Sequence, residues 1–151
     1  MIELAPRPRA LRILCVEEND LERRLLQACL DAIRAEAVFA RGAGEAVDYF
    51  REHPVDMIFI DIDRHSPGEL GGFRRIRATP VRGKTVPIVA VTDNDCHWTE
   101  KEYRDAGFGG LFIKPIEPSR LFRVIDDVLH ENRLPPLLAH ARLSGHVPHV
   151  A

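Results

Sequence analysis

Apolar positions along this chain follow two alternating rhythms. Short unbroken runs, Leu11-Arg12-Ile13-Leu14-Cys15-Val16, Met57-Ile58-Phe59-Ile60 and Pro87-Ile88-Val89-Ala90-Val91 among them, have the length and the apolar character of strands buried on both faces. Between them apolar residues recur every three or four positions. Leu21, Leu25, Cys29 and Ala32, with Leu26, Leu30 and Ile33, predict a helix over about 20–35; Leu121, Phe122, Ile125, Val128 and Leu129 predict another over about 118–132. Weaker patterns give strands near 36–40 and 110–113 and helices near 43–52, 69–78 and 95–106. The punctuation agrees: Asn19 is placed to cap the first helix, His53-Pro54 closes the second, and Gly107 stops the fourth. Five strands at about 11–16, 36–40, 56–61, 86–92 and 110–113, each followed by a helix, predict repeated β-α units and a parallel sheet.

The strand ends carry the chemistry. Asp61 ends the central run, Glu17-Glu18 follow the first, Thr92 ends the fourth and Lys114 follows the last. In open parallel α/β sheets, ligands bind in the crevice beyond the carboxyl ends of the strands. Carboxylates there suit a hard cation such as Mg²⁺, and a hydroxyl with an ammonium suits phosphoryl oxygens.

Composition narrows the classes. At 151 residues the chain suits one domain, and a formal net charge of −2 leaves no electrostatic footprint for DNA. Cys15, Cys29 and Cys96 lack metal-ligand spacing and read as thiols in a reducing cytosol, the first two inside apolar elements. No run reaches membrane-spanning length and Met1 to Arg9 has no signal-peptide core, so the expected location is cytoplasmic. The expected organisation is an arm at 1–9, a domain at 10–133, and a tail at 134–151 that is loosely ordered or a short helix. His140, His146 and His149 in that tail share no obvious face for a metal.

Taken together, Ile13-Leu14-Cys15-Val16-Glu17-Glu18-Asn19, Asp56-Met57-Ile58-Phe59-Ile60-Asp61, Pro87-Ile88-Val89-Ala90-Val91-Thr92 and Phe112-Ile113-Lys114-Pro115 resemble the receiver domain of two-component response regulators, over about residues 10–133. The resemblance implies a flavodoxin-like, doubly wound sheet of strand order 2-1-3-4-5. It implies that Asp61 accepts a phosphoryl group from a histidine kinase or phosphotransfer protein. Glu17, Glu18, Asp61 and the backbone carbonyl of Asp63 would hold Mg²⁺, Thr92 and Lys114 would bind phosphoryl oxygens, and Pro115 would follow a cis bond. Four features depart from the usual pattern: two glutamates in the acidic pair, a longer loop between Asp61 and Pro67, Leu111 in place of an aromatic residue, and Asp93 where a small residue is usual.

An enzyme of another class shares part of this pattern. Asp61-Ile62-Asp63, Thr92 and Lys114 also resemble the core of haloacid-dehalogenase-type phosphatases, although the late acidic motif of that superfamily is missing after Lys114. A receiver-like interaction module that is never phosphorylated is the other alternative. The preferred reading is a single-domain response regulator, monomeric or weakly dimeric. It would signal by protein contact, without DNA, membrane attachment, or enzymatic activity beyond self-catalysed phosphoryl transfer and dephosphorylation. Its contact face would combine the fourth helix, the last strand and the last helix. Trp98 reads equally as core or as a partner-binding anchor.

Overall fold

A computed structural model describes residues 9–63, 69–80, 82–93 and 99–131. The apolar runs form five strands: β1 (Arg12–Val16), β2 (Glu36–Ala40), β3 (Met57–Asp61), β4 (Ile88–Thr92) and β5 (Gly110–Ile113). All pair in parallel, in the order β2-β1-β3-β4-β5. The strand order is the one expected. The central strands β3 and β4 are buried at every position, which is why their sequences show no polar alternation.

Because successive side chains point to opposite faces, each strand feeds two cores. Ile13, Cys15, Met57, Phe59, Val89, Val91 and Phe112 meet α1 (Asp20–Ala32) and α6 (Pro118–Glu131) on one face. Leu14, Val16, Ile58, Ile60, Ile88 and Ala90 meet α2 (Ala43–Glu52), α3 (Glu69–Arg77) and α5 (Glu100–Ala106) on the other. Cys15 and Cys29 are buried free thiols of the first core, whereas Cys96 lies outside the described residues.

Helix ends follow local chemistry. Asn19 accepts the Glu22 N–H at 3.0 Å and caps α1. That helix ends at Ala32 rather than near residue 35, since Ile33 serves as C-cap and Arg34 adopts a positive φ of 57°. The fourth predicted helix also needs correction. It begins at Glu100, where Thr99 and Glu102 form a reciprocal capping box. Gly107 ends it in the left-handed conformation, φ 110°. Asp95 to Trp98 fall outside the described residues, as do 64–68 and the arm and tail beyond 9–131. One short helix, α4 (Arg82–Thr85), was not predicted. Arg77 ties this corner together: its guanidinium donates to the carbonyls of Gly83, Val86 and Gly107.

Candidate functional site

Because all strands run the same way, the carboxyl ends of β1, β3, β4 and β5 open on one rim. Glu17 follows β1, its N–H continuing the ladder to the Ala40 carbonyl at 2.9 Å, and it is only 4% exposed. Asp61 and Thr92 are the last residues of β3 and β4, at 9% and 2% exposure. Lys114 lies one residue past β5, held by its N–H to the Thr92 carbonyl at 2.7 Å and followed by a cis bond to Pro115. Glu17, Asp61, Thr92 and Lys114 thus come together as the sequence suggested.

Lys114 is the hub. Its Nζ lies 2.9 Å from Asp61 Oδ2, 2.9 Å from Asp63 Oδ2 and 2.7 Å from Glu22 Oε2. Three carboxylates therefore surround an ammonium that has three protons to give. Burial opposes a charge on Lys114, but its bonds to Glu22, Asp63 and Asp61 outweigh that and raise its pKa, keeping it protonated.

Asp63 enters through its side chain. Its Oδ1 accepts from the Asp93 N–H at 3.0 Å and from the Thr92 hydroxyl at 3.4 Å, while its own N–H donates to Asp61 Oδ1 at 3.0 Å. Partial burial would raise the Asp63 pKa, yet the bonds from Lys114 and the Asp93 N–H prevail and lower it. Asp93 contributes a backbone N–H to this contact.

The acidic pair is split. Glu17 turns inward, where Oε2 accepts the Asn19 N–H at 3.1 Å and Oε1 is buried without a partner. Burial, then the neighbouring Glu22 and Asp61 carboxyls, push the Glu17 pKa up to about 9. Glu18 is exposed. Glu22, from the first turn of α1, takes the inner place instead: Glu17, Glu22 and Asp61 each bring a carboxylate oxygen within 4.8 Å of the others. Three hard oxygen donors, one of them an orphaned buried atom, fit a small divalent cation of the Mg²⁺ kind.

The sequence pattern of the response regulator receiver domain matches residues 13–126. The chain belongs to that family. This receiver is 27% identical over 117 residues to the polar-differentiation response regulator DivK of Brucella ovis, in a match covering 78% of this chain and 94% of DivK. It is 28% identical over 120 residues to the autoinducer 2 sensor kinase/phosphatase LuxQ of Vibrio vulnificus. That match takes in 80% of this chain but spans only 13% of LuxQ. Among solved structures, the receiver domain of sensor histidine kinase PA1611 from Pseudomonas aeruginosa PAO1 has a magnesium ion coordinated in its active-site cleft. It superposes on this receiver with a TM-score of 0.66 at 26% identity, covering 78% of this chain and 95% of that domain. Nothing in these matches supports the phosphatase alternative.

Sequence reasoning missed Glu22. A signal was available, since it is the third residue of a helix capped by Asn19 that starts at the strand-end rim. Leu111 is half-buried and packs against the core shared by α2, α3 and α5.

Proposed function

We propose that this receiver accepts a phosphoryl group on Asp61 from the phosphohistidine of a histidine kinase or phosphotransfer protein and passes the signal on by protein contact. The observation that carries the reading is Lys114 Nζ at 2.9 Å from Asp61 Oδ2, with the Thr92 hydroxyl beside it on a shared carboxylate. In the transfer, an Asp61 oxygen attacks phosphorus in line. The P–N bond to the donor imidazole breaks, and the imidazole keeps the electron pair. Lys114 and Thr92 offer donors to the phosphoryl oxygens, and the buried strand ends hold Asp61 in place. Glu17, Glu22 and Asp61 would hold Mg²⁺, which when bound offsets negative charge on the transferring group. The acceptor makes one bond per cycle and is not itself a turnover enzyme.

The proposed division of labour places the receiver at 10–133, flanked by 1–9 and 134–151. Its contact face is built on α5, β5 and α6, and it acts in the cytoplasm without DNA. No helix among the described residues is long and apolar enough to cross a membrane.

The reading is tested by incubating the protein with acetyl phosphate and Mg²⁺ and measuring intact mass. One phosphate should be added to the wild type and none to Asp61→Asn. Label that persists in the variant overturns the assignment.

A further inference from the structure

Three donors suited to a phosphoryl group are already engaged by one carboxylate. The Thr92 hydroxyl and the Asp93 N–H both donate to Asp63 Oδ1, at 3.4 and 3.0 Å, and Lys114 Nζ donates to Asp63 Oδ2 at 2.9 Å. These groups come from two separate segments: the end of β4 with the residue that follows it, and the residue after β5. They converge on the two oxygens of a single side chain much as they would on two oxygens of a phosphoryl group.

We infer that the Asp63 carboxylate is a built-in occupant of the phosphoryl subsite, which has to leave before Asp61 can be phosphorylated. The inference rests on the reading of Asp61 as phosphoacceptor and adds a regulator to it. Lys114 is saturated by Glu22, Asp61 and Asp63, so an incoming phosphoryl group can bond to it only by taking the place of one of them. Asp63 is the partner whose departure also frees Thr92 and the Asp93 N–H. Charge favours the same exchange. Asp63 is paired with the Lys114 ammonium at 2.9 Å, and a carboxylate left beside an incoming phosphate repels it. Asp63 also follows the last ladder bond of this strand, from the Ile62 N–H to the Val91 carbonyl, so its side chain can swing away without breaking a sheet hydrogen bond.

The test compares wild type, Asp63→Ala and Asp63→Asn at saturating Mg²⁺ with acetyl phosphate. Asp61 attacks phosphorus, the P–O bond to the acetyl group breaks, and acetate leaves with the electron pair. Asp63→Ala should phosphorylate about tenfold faster than wild type, the equivalent of about 1.4 kcal/mol off the barrier. Asp63→Asn, which keeps an oxygen for the Asp93 N–H but loses the charge, should fall between them and also serves if the alanine variant folds poorly. Beryllofluoride binding followed by ¹⁹F NMR gives a readout free of any leaving group, and it should be tighter in both variants. If wild type is labelled at Asp61 and neither variant is faster nor binds beryllofluoride more tightly, the subsite inference falls while the phosphoacceptor reading stands. If none of the three is labelled, both fall. A variant slower than wild type at saturating Mg²⁺ also overturns the inference, because Asp63 then assists the reaction.

Discussion

Lys114 Nζ and Glu22 Oε2 lie 2.7 Å apart, joining the end of the last strand to the first turn of the first helix. The separation is that of a close ion pair, and both side chains are largely withdrawn from solvent, at 12% and 24% exposure. Glu22 thereby faces two ways, toward the ammonium and toward the carboxylates of Glu17 and Asp61.

This position makes Glu22 the more important of two neighbouring glutamates for the cation. Glu22→Gln should weaken Mg²⁺ binding by about tenfold, on the scale of losing one charged oxygen near the ion. Glu18→Gln, at an exposed position, should leave it nearly unchanged. Calorimetric Mg²⁺ titration of both variants decides, and a larger loss in Glu18→Gln would return the inner place to the acidic pair.

Removing the hub should be costly. Lys114→Met leaves Glu22, Asp61 and Asp63 facing one another without a counter-charge. Stripping one partner from a buried pair costs about 3–5 kcal/mol, and the opening of this site to solvent brings that to about 2–3 kcal/mol. Mg²⁺ should recover part of the loss by supplying positive charge. Urea denaturation with and without Mg²⁺ measures both; a variant as stable as wild type in chelator contradicts the account.

Glu17 predicts a pH dependence of definite sign. Its folded pKa is raised to about 9 from 4.5, so between those values the folded state holds more protons than the unfolded one. Stability from this group is full below about pH 4.5 and is lost as pH rises toward 9, at no more than about 1.4 kcal/mol per pH unit. Asp63, whose pKa is lowered from 3.8, acts in the opposite sense and only in the acid range. Asp63 does not contribute between pH 5 and 9, so the difference between wild type and Glu17→Gln across that window reports Glu17. In chelator, Glu17→Gln should be more stable than wild type at pH 8 and show a flatter slope. Parallel stability curves for the two proteins would remove the basis for this prediction.

Two glycines should respond in opposite ways to alanine. A Cβ on Gly83 would sit 2.1 Å from the Ile76 carbonyl oxygen and 3.0 Å from Thr79 Cβ, so the corner bound by Arg77 has to shift, at about 1–3 kcal/mol. Gly44 in α2 meets nothing within 4 Å, and alanine there should stabilise by up to about 1 kcal/mol. Thermal melts of the two variants moving in the same direction would show that close packing at Gly83 is not the controlling factor.

The strand-end residues were legible because doubly buried strands leave unbroken apolar runs, and each run announces its own end. Asp61, Thr92 and Lys114 are readable this way, whereas the sheet order follows from the family resemblance and not from the runs themselves. Glu22 and the Asp63 side chain are not readable from the runs. Their roles depend on how a helix turn and a loop lie against other strands, and no period in the chain encodes those distances. Glu18 was misplaced for a related reason: residues beyond a strand lose its strict alternation, so adjacent acids can part company. The start of α5 was readable from Thr99 and Glu102, whereas the four residues of α4 are too few to show a period.

The two-sided core has a consequence for how the chain is made on a ribosome. Leu121, Phe122, Ile125, Val128 and Leu129 close the face that Ile13, Cys15 and Phe59 begin and α1 covers in part, so one side of the sheet is fully roofed only after α6 has emerged. Until then the growing polypeptide carries a greasy stripe on the part of that side that α1 does not reach, while the opposite side, whose covering helices are interleaved with the strands, can seal as it appears. Nascent chains halted just after β5 should therefore be the ones that holdase chaperones retain, and those extended through Glu131 should be released.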